Sequence, residues 1–234
     1  MFTKDIKQWI LSLKEGEIIL AKTAYLENFS NMKEATFYQL LARLNQEKYL
    51  AKISKGLYYK PFKDDFTRLP SEDRLLNFFT NKNKNGLIIG TNMLYKYNII
   101  PNISNKYEIY TNLIEIKTTR FMSNLAIKYL NIDFKNVCIS KSIEILELIE
   151  IIDDYDNVDL EALYSYLYEF ISIYNEDVIY KILENHNYKK RNIYTLMVIL
   201  NNFNIENNLS RLLNSASKYN FPNMINKALA LKNR

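Results

Sequence analysis

The segment Thr36-Phe37-Tyr38-Gln39-Leu40-Leu41 constrains the fold more than any other part of the chain. Phe37, Leu40, Leu41 and Leu44 fall at i, i+3, i+4 and i+7, so they line one face of a helix and must turn toward a core. Upstream, Phe2, Ile6, Trp9, Ile10 and Leu13 form a second stripe at helical spacing, and Lys14-Glu15-Gly16-Glu17 ends that helix. Ile18-Ile19-Leu20 reads as a short strand that pairs with the wing, followed by a brief helix over residues 23–26. Asn31 and Glu34 have the spacing of a capping box for the third helix. Downstream come two extended runs, 49–53 and 56–60, joined by the polar turn Ser54-Lys55. Three helices and a hairpin in about sixty residues are the parts, in order, of a winged helix-turn-helix, whose third helix and wing touch a duplex.

Charge is concentrated in the same stretch. Lys and Arg outnumber Asp and Glu by eleven to six over residues 1–63 and stand at twenty against twenty from 64 to 234. The whole formal excess of +5 therefore lies in the first quarter of the chain, as a phosphate-binding surface requires. The apolar stripe of the third helix leaves Ala35, Gln39, Ala42 and Gln46 on the opposite face, flanked by Thr36, Tyr38 and Arg43. Small residues there let a backbone approach a groove, Gln pairs with adenine, and Arg pairs with guanine or phosphate. Lys33 precedes this helix, while Lys52, Lys55 and Lys60 lie on or beside the hairpin. Tyr58 and Tyr59 should alternate, one inward and one outward. The expected contacts to double-stranded DNA are Lys33, Thr36, Tyr38, Gln39, Arg43, Lys52, Lys55, Tyr58 and Lys60.

Residues 61–70 are polar and charged, bounded by Pro61 and Pro70, and mark a boundary between a domain over 1–63 and a second over 67–234. Beyond it Ser71-Glu72-Asp73-Arg74 starts a helix, residues 81–86 form a loop, and Leu87-Ile88-Ile89-Gly90 leads into a helix over 91–97. Short runs at 107–111, 113–117 and 137–140 read as strands of a small mixed sheet. From about Asp159 the pattern is helical in four segments, exemplified by Leu160, Leu163, Tyr164, Leu167 and Ile171, then Ile193, Leu196, Met197 and Leu200. The expected class is α+β and helix-rich: a winged helix-turn-helix, a mixed α/β lobe to about residue 153, and a helical end. With only four Gly and four Pro, few tight turns are available.

Composition removes several functions. A single cysteine, Cys138, excludes a disulfide framework and a cysteine-based zinc finger, and its neighbours Val137 and Ile139 suggest a buried, inert thiol. His186 is the lone histidine, in a polar Glu-Asn-His-Asn turn, so no His pair exists for zinc. Asp153, Asp154, Asp156 and Asp159 are clustered without the Gly-Ser turn of a nucleotidyltransferase or the glycine of a calcium loop, and read as a solvated loop between helices. Four glycines supply no phosphate or dinucleotide fingerprint. No cofactor, metal or catalytic activity is expected. No signal-peptide pattern or long apolar span appears, and a cytoplasmic protein is expected.

Residues 16–61 resemble the N-terminal winged helix of the AbiEi-like antitoxins of abortive-infection type IV toxin–antitoxin pairs. The shared pattern is a basic–Gly–aliphatic–Tyr–x–x–Pro wing, here Lys55-Gly56-Leu57-Tyr58-Tyr59-Lys60-Pro61. A second block follows in similar order, with Gly90-Thr91-Asn92-Met93-Leu94, then Ile100-Pro101-Asn102 and Tyr107-Glu108-Ile109-Tyr110-Thr111-Asn112, so the likeness covers residues 16–140. The resemblance implies a transcriptional autorepressor bound to promoter DNA, with a C-terminal domain that counteracts a nucleotidyltransferase-like toxin without a stable complex, in phage defence. The final 80 or so residues carry no motif of that family. A homodimer on repeated half-sites is a further expectation. The competing class is a protein-interaction module or general regulator built on a winged helix.

Overall fold

The computed structural model describes residues 2–115, 118–214 and 216–233, with the side chains of Phe2, Lys232 and Asn233 outside the description. The fold is α+β, about half helical, with two small sheets. The chain divides into two compact units, 1–78 and 79–234.

The first unit runs α1 (Phe2–Ser12), β1 (Ile18–Leu20), α2 (Ala21–Asn28), α3 (Glu34–Gln46), β2 (Ala51–Ser54) and β3 (Leu57–Tyr59). The strands pair antiparallel in the order β1-β3-β2, so the short strand after α1 completes the hairpin as expected. Ile6 and Ile10 from α1 are fully buried against Phe37, Leu41 and Leu44 of α3, with Leu40 and Trp9 half-buried at the margin. Phe29 stacks on Phe37 at 5.4 Å, and Trp9 meets Phe29 edge-on at 5.4 Å. Phe2, expected in the same stripe, has its side chain outside the described residues. The hairpin turn is Lys55-Gly56, with Ser54 opposite Leu57, one residue later than the sequence suggests. Gly56 has φ +76, which a two-residue turn requires and a side chain disfavours.

Two expectations fail in this unit. The residue that caps α3 is Lys33, with no side-chain cap bond, so Asn31 and Glu34 form no capping box. Met32 is buried and its carbonyl accepts from the Tyr25 hydroxyl at 2.9 Å, which carries the chain past Asn31 before the helix begins. Tyr58 and Tyr59 do not alternate between core and solvent: both are buried, at 6% and 2% exposure. β3 is the central strand. Tyr58 enters the helical core, while the Tyr59 hydroxyl donates to the Phe66 carbonyl at 3.2 Å beneath residues 61–70.

α4 (Glu72–Thr80) contains the division between the units. The second unit continues with β4 (Gly86–Ile89), α5 (Thr91–Lys96), β5 (Tyr107–Thr111), β6 (Arg120–Met122) and β7 (Leu125–Tyr129). Its sheet has the order β4-β5-β7-β6, with β5 parallel to β7 and the other pairs antiparallel. Gly90 precedes α5 at φ 70, ψ −150, a region open essentially to glycine alone. Then come α6 (Val137–Ile151), α7 (Leu160–Ser172), α8 (Glu176–Asn185), α9 (Lys190–Asn202) and α10 (Asn223–Leu229).

Residues 137–140 are the first turn of α6 and not a strand. The Asn136 side chain accepts from the backbone of Cys138 at 2.9 Å and Ile139 at 3.3 Å, which starts a helix. α6 is buried around most of its girth, from Ile139 to Ile149, so its apolar run lacks a 3.6-residue period. Residues 113–115, expected as a strand, are irregular, and Ile116 and Lys117 of that expectation lie outside the described residues. The four C-terminal helices follow the sequence pattern, and Leu163, Leu167, Ile193, Leu196 and Leu200 are buried in one core with α6.

Candidate nucleic-acid interface

The polar face of α3 emerges where the apolar stripe forces it. Lys33, Ala35, Thr36, Gln39, Ala42, Arg43 and Gln46 are exposed. The Arg43 Nε donates to Glu47 at 2.8 Å, a surface i,i+4 pair that leaves the Arg43 side chain 65% exposed. Such a pair contributes only about 0.3–0.5 kcal/mol, so it is readily exchanged for another anion.

Tyr38 joins this face to the hairpin. It is half-buried, and burial, Glu34 and the nearby Tyr58 together push its phenol up. Tyr58 is the register partner of Lys52. Directly opposed residues of an antiparallel pair project to the same face, which puts Lys52 on the α3 side of the sheet. Lys52 and Lys55 are both exposed. Thus Thr36, Gln39 and Arg43 from α3 and Lys52 from β2 belong to one side of the unit, linked by the approach of Tyr38 to Tyr58.

Two residues expected at this surface lie elsewhere. Tyr58 is a core residue at 6% exposure, with Tyr38 packed against the same core, and is not free to meet a ligand. Lys60 sits at the far end of β3 from the turn, where its amide donates to the Glu17 carbonyl and its own carbonyl accepts from Gly16. Burial pulls its ammonium down, partly offset by Glu15.

Lys22 was not expected and belongs with the wing. The Ala21 amide donates to the Gly56 carbonyl at 2.9 Å, which sets the first turn of α2 against the hairpin turn, with the exposed Lys22 one residue after Ala21 and the exposed Lys55 one residue before Gly56. Its only trace in the sequence is the local excess of lysine. The acidic residues 64, 65, 72 and 73 fall inside the first structural unit, so that unit carries thirteen basic against ten acidic residues. Asp65 is occupied locally, accepting from the Thr67 amide at 2.8 Å and hydroxyl at 2.6 Å.

In the second unit two aspartates of the 153–159 cluster cap the starts of helices. Asp153 accepts from the amides of Asn223 and Met224 at 3.0 Å each, capping α10, and Asp159 caps α7 through Glu161 and Ala162. Among the described residues no three His, Cys, Asp or Glu side chains converge as a metal set, and no helix is long and apolar enough to cross a membrane. Cys138 is half-buried, its thiol donates to the Ile173 carbonyl at 3.1 Å, and burial pushes it up.

Two carboxylates are held by tyrosine hydroxyls in the second unit, Glu144 buried and Glu147 half-buried. Glu144 accepts from Tyr97 and Tyr166, each at 2.9 Å. Glu147 accepts from Tyr110 and Tyr188, each at 3.0 Å, and Tyr110 also meets the His186 Nε2 at 3.3 Å. His186 is therefore half-buried in a tyrosine cluster and not in a free polar turn; burial, aided by Lys128, pulls its imidazole down.

No protein-family model matches the sequence, and no curated protein matches it. Among solved structures the chain is similar to the RV2827C protein of Mycobacterium tuberculosis, with 8% identity and a TM-score of 0.34 over 92% of this chain and 76% of that one.

Proposed function

We propose that the chain is a duplex-DNA-binding transcriptional regulator that acts through α3 and the β2–β3 wing. The observation that carries this reading is the shared side of Thr36, Gln39, Arg43 and Lys52, with Lys55 and Lys22 at the wing turn. A helix with small residues on its exposed face fits the major groove, and lysines beside it meet the flanking phosphates. The antitoxin role rests on the sequence resemblance to AbiEi-like proteins, and on it we propose autorepression of a promoter shared with a nucleotidyltransferase-like toxin.

The test is fluorescence anisotropy on the chain's own upstream DNA and on a scrambled duplex across a salt series. The double variant Lys52→Ala, Lys55→Ala should weaken binding to both duplexes and lower the log–log salt slope by about 0.9 per lost contact. An unchanged slope removes the wing from the interface. Rescue of cells expressing the gene product encoded next to this chain tests the antitoxin role; absence of rescue with DNA binding intact leaves a regulator alone.

A further inference from the structure

We infer that the second unit carries an anion-binding cleft for a phosphate-bearing small molecule of nucleotide size. The cleft measures about 660 Å³ and lies between the loop of residues 81–85 on one side and the start of α6 with Tyr97 on the other. That volume falls within the roughly 300–1,000 Å³ range of small-ligand sites.

Its charge is lopsided in a specific way. Four lysines line it, Lys82, Lys84, Lys135 and Lys141, against one carboxylate, Glu144. Lys141 and Glu144 are both buried and belong to the wall. The Lys141 ammonium bonds Glu169 at 3.1 Å, lies 3.9 Å from Glu144, and is held 4.1 and 4.3 Å from the ring centres of Tyr97 and Tyr166. The Lys141 charge is thus taken up by two carboxylates, and Glu144 is fixed in turn by the hydroxyls of Tyr97 and Tyr166, so the inner wall offers no free cation. Lys82, Lys84 and Lys135 are exposed, and among the described residues none of them has an ion-pair partner. Three uncompensated ammonium groups around one cleft favour a multiply charged anion over a single carboxylate.

Two other features fit the same ligand. Asn81, Lys82 and Asn83 hold successive left-handed conformations at φ 41, 53 and 67. Asparagine tolerates that region, whereas a lysine is strained there, and the fold keeps Lys82 in place at the mouth. Val137, 66% exposed, lines the cleft together with Phe134 and Tyr97 and offers an apolar surface to the organic part of the ligand. The cleft's size argues for a small molecule and against a nucleic-acid strand.

Isothermal titration calorimetry on the full chain with ATP, pyrophosphate and adenosine tests the proposal. ATP and pyrophosphate should bind at one molecule per chain, and adenosine should not. The variant Lys82→Ala, Lys84→Ala, Lys135→Ala changes exposed side chains only and should weaken ATP binding by about tenfold or more at an unchanged melting temperature. A charge-matched control, Lys181→Ala, Lys190→Ala, Lys227→Ala, removes exposed lysines elsewhere in the unit and should leave ATP binding intact. No saturable binding of ATP or pyrophosphate, equal binding of adenosine, or equal loss in the control overturns the proposal. So does binding of a poly(U) strand through these lysines when ATP does not bind.

Discussion

Glu147 shows how one side chain ties stability to pH. It is drawn out of water between the sheet and the C-terminal helices, and burial pushes its carboxyl up despite the hydroxyls of Tyr110 and Tyr188 and the nearby Lys128; Glu108 adds to the rise. A carboxyl raised in the folded state binds more protons there than in the unfolded chain. Its contribution to stability is full below the ordinary carboxylate value near 4.5 and is lost as pH rises through the higher folded value. Glu147→Gln keeps an acceptor for both hydroxyls and removes the ionisation, so denaturant midpoints of the variant should fall less across that window than those of the parent. His186 acts in the opposite sense. Its lowered imidazole contributes stability above its ordinary value near 6.5 that is lost as pH falls toward the folded value.

α3 has two faces that should respond to different measurements. Phe37→Ala empties a fully buried site that also touches Phe29 and Tyr25, and should cost about 3–5 kcal/mol of stability in the first unit. Gln39→Ala and Arg43→Ala touch only the exposed face, so thermal unfolding should hardly change. If either side chain makes a bidentate base contact, its loss should cost about 1–3 kcal/mol on the operator and much less on a scrambled duplex. Equal losses on both duplexes assign the contact to the phosphate backbone.

The whole molecule is two cores in one chain. The first closes around Phe37 and the second around α6, and each is large enough to sustain a fold. The division at Phe78 and Phe79 runs through α4, so a fragment that keeps this helix whole must begin upstream of Glu72. A fragment of residues 68–234 should show a cooperative thermal transition of its own and fail to bind the operator. If antitoxicity resides in the second unit, that fragment should still rescue toxin-expressing cells. Loss of rescue together with DNA binding would show that protection acts through the promoter.

Periodic elements with one wet face were legible in the sequence by itself. The stripes of α1, α3, α7 and α9, the β1–β3 pairing and the start of α4 after Ser71 each follow from local spacing, because solvent on one side imposes a pattern on the other. The exposed face of α3 was legible for the same reason, as the complement of Phe37, Leu41 and Leu44. Tertiary structure decided the rest. α6 has water on almost no side, so nothing in its composition distinguishes it from a buried strand. β7 lies parallel to β5, with Leu125 opposite Tyr107, and the three-residue β6 is held only by turning back on β7, so the place of both in the sheet depends on a non-local pairing. Tyr58 and Tyr59 lie on a central strand covered on both faces, and Lys60 is separated from the wing turn by the strand's own length. The cleft beside α6 was beyond reach of local spacing, since Lys82 and Lys135 come together only when the loop after α4 and the start of α6 fold onto one wall pair.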